Sequence, residues 1–183
     1  MTKPKILLIS ALFIFSLPTF CQDNYREIGL SINDEFNFGF VYKKQKAERK
    51  YLVYDAAANF SILSSNGNNT VTAGLFFALG FERRVDIAEK VQFLHGWQPS
   101  LSLGTITNSD NLDILTIEPG LGYRLGFLYS FSDNLYVSLE GIANASMSIL
   151  FNDDIEGTPT STNIGFSPNN VTLNLIYRFQ KKG

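Results

Sequence analysis

Apolar and polar side chains alternate, residue by residue, along much of this chain. In the segment 70–82 the odd-numbered positions are apolar, and the even-numbered ones are small or polar, with Phe76 as the exception. The same alternation recurs over 115–129, 135–149 and 171–179. Because successive side chains on a β-strand point to opposite faces, a period of two predicts strands with one apolar face. The chain is therefore predicted to be all-β.

The alternating segments are separated by stretches rich in turn-forming residues. Three of the predicted connections between strands are short. The connections that alternate with them along the chain are on average longer and rich in Gly, Asn, Asp, Ser and Thr. Short turns at one end and longer loops at the other are typical of transmembrane barrels. We predict an eight-stranded antiparallel up-and-down transmembrane β-barrel. Its strands are expected at approximately residues 25–32, 35–44, 51–62, 70–84, 91–106, 113–129, 135–150 and 163–179.

Two regions fit this division less well. The first hairpin would turn at Asn33 and Asp34, and the alternative is one long strand over 25–44, which would require a further strand between 152 and 167. Pro99 and Pro119 fall inside the fifth and sixth strands, where proline removes a ladder hydrogen bond. If that hairpin turns about Ser109, we expect the two prolines to face each other and to share one β-bulge.

The composition of the polar face separates a membrane barrel from a soluble sandwich. A soluble sandwich would turn a face rich in Lys and Glu toward water, whereas these faces carry Gly, Ser, Thr, Asn and isolated charges. After residue 21, no apolar run approaches the ~18 residues of a membrane-spanning helix. A membrane-spanning structure without such helices must pair all its backbone groups between strands, which only a closed barrel does.

The first 21 residues resemble a removable signal peptide. Lys3 and Lys5 precede an apolar stretch from Ile6 to Leu17, and a candidate cleavage region follows, with removal expected near Cys21 and Gln22. The predicted domains are therefore a signal peptide at 1–21 and an outer-membrane barrel at 22–183. Twelve apolar residues fall short of the ~20 that a retained helical anchor needs.

Cys21 also permits a lipoprotein hypothesis, since lipid attachment uses a cysteine just after the apolar stretch. The bulky Phe20 before it disfavours that alternative. Cleavage after Cys21 would leave 162 residues without cysteine, with 13 basic against 17 acidic side chains. A weakly acidic chain without a basic patch predicts no nucleic-acid partner.

Charged residues on the predicted inner face are nearly balanced in sign, with five acidic and four basic side chains. Buried charges are costly unless they are paired, so the balance predicts a mutually neutralising network. Eight strands enclose only enough space for side chains, which favours a plugged lumen over the alternative of a selective pore. The predicted network comprises Glu27, Lys43, Asp55, Glu82, Arg84, Glu118, Arg124, Glu140 and Arg178.

Aromatic side chains are predicted mainly on outward positions, several near strand ends. Aromatic belts at the two membrane interfaces explain such clustering, and a carbohydrate-binding stripe is the alternative. Basic residues around the turn at 45–50 are expected to be solvated, with contact to anionic headgroups as the alternative. Tyr25 and Phe36 are among the aromatics expected on the outside, and the principal predicted interface aromatics are Trp97, Tyr123, Tyr129, Tyr177 and Phe179.

Candidate chemistry is sparse, and we predict no enzymatic activity, no cofactor and no metal site. The one histidine, His95, has no serine two residues away, so an interfacial role is favoured over catalysis. The oxygen-rich segment 152–157 lacks the spacing of a calcium-binding loop. The glycines of 120–126 are followed by more strand rather than by the helix of a nucleotide site, so they are expected to relieve crowding in the lumen.

The end of the chain resembles the C-terminal signal of outer-membrane barrels, with Asn174 to Phe179 alternating and Phe179 in the aromatic position. With Tyr177-Arg178-Phe179 and the segment 81–84, Phe-Glu-Arg-Arg, residues 25–179 resemble the porin-like superfamily of small barrels common in Bacteroidota, similar in architecture to OmpA- and OmpX-type proteins.

This resemblance implies a Gram-negative outer-membrane location, with outer-membrane lipids and the barrel-insertion machinery as partners, the latter acting on the last strand. The expected role is non-enzymatic, either structural in the envelope or in surface interactions. The alternatives are a narrow porin for small solutes and a lipid-modifying outer-membrane enzyme. The sequence identifies no external partner.

Overall fold

Eight antiparallel strands form a closed ring in the computed structural model, which describes residues 25–33, 38–65, 68–108, 113–152 and 161–180. Each strand pairs with its neighbours in the chain, and the last pairs with the first. No helix among these residues is long and apolar enough to cross a membrane. The strands are β1 Tyr25–Asn33, β2 Phe38–Ala47, β3 Lys50–Ser65, β4 Asn68–Ala88, β5 Val91–Asn108, β6 Asp113–Ser130, β7 Leu135–Asn152 and β8 Ser161–Gln180.

The ring closes through the pairing of β1 with β8, which is continuous from Tyr25 opposite Gln180 to Asn33 opposite Thr172. An open sheet would leave unpaired N–H and C=O groups along both edge strands. Closure removes both edges. The predicted all-β, eight-stranded antiparallel barrel is confirmed.

The uncertain first hairpin is also resolved. β1 and β2 are separate strands that pair from Arg26 opposite Lys44 to Ile32 opposite Phe38, so the alternative of one long strand over 25–44 is wrong. Further along the chain, β4 continues beyond its predicted end at Arg84, because Val85 still pairs with Phe93.

The expectation of a shared proline bulge is wrong. Pro99 lies opposite Leu121, and Pro119 lies opposite Leu101, so the two prolines are offset by two residues, and the β5–β6 register continues without a bulge. The pairing of β4 with β5 is instead interrupted beside Pro99, and the pairing of β6 with β7 is interrupted beside Pro119. Each proline thus lies where its strand is not paired with one of its two neighbours, which suits a residue that has no N–H to donate.

The barrel has two different ends. The turn end holds the short connections at 48–49, 89–90 and 131–134 together with the start of β1 and the end of β8. The loop end is the opposite one, where β1 ends and β2 begins. Residues 1–24, the predicted first turn at Asp34, Phe36 and most of the oxygen-rich segment after Asn152 lie outside the described residues.

The two faces of the wall differ sharply. Along β8, Val171, Leu173, Leu175 and Tyr177 are exposed, whereas the intervening Asn174 and Ile176 are buried. The exposed large hydrophobic side chains of the other strands, apart from Leu63, likewise occupy the outward positions of the alternation. The apolar face of the alternation therefore points out of the barrel, and the charged face points in.

Candidate functional site

Charged side chains meet inside the half of the barrel nearer the turn end. Eight of the nine predicted interior charges form one connected set of ion pairs, hereafter the ion network. Four members are acidic and four are basic, so their formal charges cancel. The ion network comprises Glu27, Lys43, Asp55, Glu82, Arg84, Arg124, Glu140 and Arg178.

Lys43 lies at the centre of the ion network. Its Nζ donates to Glu82 Oε2 at 2.6 Å and to Glu140 Oε1 at 3.1 Å. The three residues come from β2, β4 and β7, which are not neighbours in the ring, so the bonds cross the lumen instead of running along the wall. Ser138 also donates to Glu140 at 2.6 Å. The lysine and both carboxylates are almost completely excluded from solvent.

Arg84 connects this centre to the turn end. Its Nη1 and Nη2 donate to the two carboxylate oxygens of Glu27 at 3.0 and 2.6 Å, and its Nε donates to Glu82 at 2.6 Å. Such a bidentate pair uses the planar fork of the guanidinium group. Tyr136 donates its hydroxyl hydrogen to Glu27, and Arg178 Nε donates to the same carboxylate at 2.9 Å. Glu27 is thereby held by three side chains.

Arg124 forms the loop-end side of the ion network. It pairs with Asp55, and its Nη1 lies 2.9 Å from Glu140 Oε2. Gln98 bridges the arginine and the aspartate, because its Oε1 accepts from Arg124 Nη2 at 2.6 Å and its Nε2 donates to Asp55 at 2.9 Å. A neutral amide thus completes the bonding of two buried charges.

Apolar side chains pack inside the lumen around the ion network. Tyr51 and Tyr136 join this cluster, and the Arg84 guanidinium lies 3.8 Å from the centroid of the Tyr51 ring, a cation–π contact. Together with the ion network, these buried side chains occupy the turn-end half of the lumen. The apolar members are Val41, Val53, Leu94, Leu128 and Ile176.

A cavity of about 380 Å³ lies in the lumen on the loop-end side of the ion network. Asp55, Arg124 and Glu140 border it on one side, and mostly small or polar side chains form its walls. Glu118 lines this cavity and stands apart from the ion network. In the described part of the chain it accepts hydrogen bonds from Ser146 and Ser148 and forms no ion pair.

The glycines of β6 relieve crowding inside the barrel, as predicted. A Cβ at Gly120 would meet Ser100 Oγ at 2.8 Å and Asn144 Oδ1 at 3.0 Å. A Cβ at Gly126 would collide with the Leu139 backbone carbonyl.

The principal predicted interface aromatics all lie on the outer face. Trp97, Tyr129 and Tyr177 are between 44% and 57% exposed, Phe179 is exposed, and Tyr123 is half-buried beside Trp97. Tyr25, which was also expected outside, is different: it shares the inner face with Glu27, and Arg178 lies 5.7 Å from its ring centroid.

His95 also points outward. Its Nδ1 lies 3.0 Å from the Tyr123 hydroxyl, and its ring stacks on Phe93. Ser100 lies on the inner face, so the wall of the barrel separates the two side chains. Among the described residues, no group of three or more His, Cys, Asp and Glu side chains is placed to hold a metal ion.

The alternation of odd and even positions along each strand identified the charged interior residues but not their neutral partners. Tyr51, Gln98, Tyr136 and Asn174 also lie on the inner face, and sequence reasoning did not select them. The signal was present for Tyr136, which stands between the outward Leu135 and Val137, because the residue between two outward ones must point inward.

Comparisons with known proteins agree with this architecture. No protein-family model matches the chain, and no curated protein matches it. Ail, the attachment invasion locus protein of Yersinia pestis, aligns over 87% of this chain and 100% of its own, at 11% identity and a TM-score of 0.51. Ail in complex with the heparin analogue sucrose octasulfate aligns over the same shares at 12% identity and a TM-score of 0.52.

A major outer membrane protein from Thermus thermophilus aligns over 86% of this chain and 98% of its own, at 10% identity and a TM-score of 0.56. At these identities the similarity concerns the fold, which is that of small outer-membrane β-barrel proteins. The expected Bacteroidota type remains a prediction.

Proposed function

We propose that this protein is an integral outer-membrane β-barrel without enzymatic activity, whose lumen is closed by side chains and whose role is structural in the envelope or in surface interactions. The observation that carries the proposal is that polarity is reversed relative to a soluble protein: ion pairs fill the inside of the barrel, and large apolar side chains cover its outside.

The outer face is too apolar for water. Phe38, Phe40 and Phe60 are each more than 65% exposed, and 30 large hydrophobic side chains are exposed among the residues that the structure describes. Monomeric soluble proteins rarely expose contiguous apolar patches larger than a few hundred Å². Lipid acyl chains remove this penalty, and the closed ring of strands leaves no unpaired backbone edge in the hydrocarbon.

The packing of side chains in the lumen supports a role for the outer surfaces of the barrel and not for conduction through it. Lys43, Arg84 and Tyr136 are at most 1% exposed, and their bonds connect strands that are not neighbours in the ring. An ion that crossed would have to displace these pairs, each of which is expensive to break in a dry interior. This supports a closed lumen over a porin.

A surface role is consistent with the comparisons. The Yersinia pestis neighbour is named for attachment and invasion. We propose an orientation in which the loop end of the barrel faces the exterior. The turn end, with the start of β1 and the end of β8, then faces the periplasm. The proposed partners are outer-membrane lipids and, through the alternating strand β8, the barrel-insertion machinery.

Two measurements test the proposal. A purified, folded protein that migrates differently on gels before and after boiling, and that needs detergent or lipid to remain in solution, would support a membrane barrel. In planar bilayers we expect no discrete channels. Reproducible single-channel steps would overturn the closed lumen, and partition into plain buffer would overturn the membrane location.

A matched variant makes the absence of conductance informative. The double substitution Glu27→Ser and Arg84→Ser removes one charge of each sign, so it leaves the net charge unchanged while it shortens two side chains that close the lumen. Provided that heat-modifiable migration shows the variant folded, we expect it to conduct where the natural protein does not. For the enzymatic alternative, lipid A from cells that overproduce the protein should be identical to lipid A from cells that overproduce His95→Ala.

A further inference from the structure

We propose that the outer wall at the turn end of β3, β4 and β5 binds an anionic phospholipid, with the lipid phosphate between Lys50 and Arg83 and an acyl chain in the groove beside them. This inference rests on the proposed membrane location and adds a specific ligand site to it.

The first observation is a row of basic side chains across three strands. Lys50 pairs directly with Arg83, and Arg83 pairs directly with His95, so the three side chains are neighbours on the outer face. Like charges directly opposite one another on a sheet destabilise it. An anion placed between Lys50 and Arg83 would convert this repulsion into two favourable contacts.

No protein carboxylate supplies that anion among the described residues. The acids closest in sequence pair with other residues: Glu48 and Asp86 pair with Arg49, at 3.9 and 2.5 Å, and Glu82 points inward to Lys43 and Arg84. Lys50 and Arg83 are both exposed, and neither forms an ion pair within the described structure. Lys46 lies at the same end and lines the same groove.

The second observation is the groove itself, an apolar concavity of about 1450 Å³ on the outer wall. Immediately beyond the basic row lies a row of apolar and aromatic residues in direct register: Leu52 opposite Phe81, Phe81 opposite Trp97, and Trp97 opposite Tyr123. Further rows continue to Ala56 and Phe77. A charged end followed by an apolar channel matches a lipid headgroup followed by its chain.

The length of the groove fits one leaflet. Lys50 and Ala56 are six positions apart along β3, which corresponds to about 20 Å at ~3.3 Å per residue. Strands of membrane barrels tilt by roughly 40°, so this is about 15 Å along the membrane normal. Half of the ~30 Å hydrocarbon core has the same thickness.

The aromatic residues place the basic row at the level of the headgroups. Trp97 and Tyr123 make an edge-to-face contact at 4.8 Å, and the Tyr123 hydroxyl lies beside His95. Amphipathic rings of this kind concentrate at the membrane–water interface. Because the row is at the turn end, the ligand is assigned to the leaflet that faces the periplasm.

The test is native mass spectrometry of the full-length folded protein, released from micelles that contain equal amounts of phosphatidylglycerol and phosphatidylcholine with identical acyl chains. We expect at least fivefold more phosphatidylglycerol to remain bound. Arg83→Gln and Lys50→Gln should each abolish most of this preference. Lys90→Gln, which removes an exposed charge at the same end but outside the groove, should retain it.

The proposal would be overturned by equal retention of the two lipids, by loss of the preference with Lys90→Gln as well, or by an unchanged preference in the Arg83 and Lys50 variants. Inorganic phosphate is included as a competitor. If it displaces phosphatidylglycerol at micromolar concentration, the site binds an anion alone and the groove has no part in it. Heat-modifiable migration of the same samples separates the two claims, since a folded barrel without lipid preference refutes only this inference.

Discussion

The Nζ of Lys43 lies 2.6 Å from Oε2 of Glu82 at a point in the lumen where neither side chain is more than 1% exposed. The two residues belong to β2 and β4, with β3 between them. Their bond therefore passes through the lumen in front of β3 instead of running along the wall. Because Lys43 also holds Glu140, a single ammonium group bridges two carboxylates that would otherwise repel each other in a water-poor interior.

Replacing Lys43 with methionine should destabilise the folded barrel. The substitution keeps an unbranched side chain but removes the ammonium group between Glu82 and Glu140, and only arginines remain to pair with these carboxylates in the described structure. Breaking a buried ion pair from one side typically costs about 3 to 5 kcal/mol. The free energy of unfolding, measured by urea titration in vesicles of zwitterionic lipid, should fall by that amount. Lys90→Met, at an exposed turn position, should change it by less than about 0.5 kcal/mol. Equal stabilities for the two variants would contradict the role assigned to Lys43.

Removing one hydroxyl group tests the other side of the ion network. Tyr136→Phe keeps the ring between Arg84 and Arg178 but deletes the hydrogen bond to Glu27. We expect the free energy of unfolding to fall by about 1.5 to 3 kcal/mol, the typical contribution of a hydrogen bond to a charged group. Tyr177→Phe is the control, because its hydroxyl lies on the outer face and Tyr177 is 50% exposed. A loss as large in Tyr177→Phe as in Tyr136→Phe would mean that the effect does not arise in the lumen.

Alternation along each strand was sufficient to predict the number of strands, their direction and which charges point inward. It was insufficient for the contacts between those charges. Whether Lys43 meets Glu27, which is directly opposite it in the ladder, or Glu82 and Glu140 across the lumen depends on the heights and lengths of the side chains. A period of two gives the face of a residue but not its height in the barrel.

The prolines illustrate the same limit. A shift of two residues in the register between β5 and β6 preserves every inward and outward assignment, since side chains repeat with a period of two. The pattern therefore did not distinguish Pro119 opposite Pro99 from Pro119 opposite Leu101. Register depends on turn geometry, and the alternation of apolar and polar residues does not extend into the turn between β5 and β6 to fix it.

Two glycines on β5 should respond very differently to alanine. A Cβ at Gly96 would collide with the backbone carbonyl of Phe81, so β4 and β5 would have to separate. A Cβ at Gly104 would meet its nearest neighbours, Ala73 O and Thr116 Cβ, at an ordinary 3.9 Å. We expect Gly96→Ala to lose about 1 to 3 kcal/mol or to fail to fold, by analogy with overpacked cores. Gly104→Ala should fold with nearly unchanged stability. Comparable urea midpoints for both variants would show that the close packing of β4 on β5 is not required.

A charge placed on the outer wall distinguishes lipid from water as its surroundings. Leu121 is 51% exposed at the middle of β6, and Phe131 is 57% exposed in the turn that follows the same strand. If water covered the whole barrel, an arginine at either position would be solvated and would change stability little. In a membrane the cost depends on depth, about 2 to 4 kcal/mol at the midplane and about 0 to 1 kcal/mol near the interface. We therefore expect Leu121→Arg to lower the free energy of unfolding in vesicles by several times more than Phe131→Arg does. Similar small losses in both variants would place water, not acyl chains, against the apolar wall, and the membrane location would have to be abandoned.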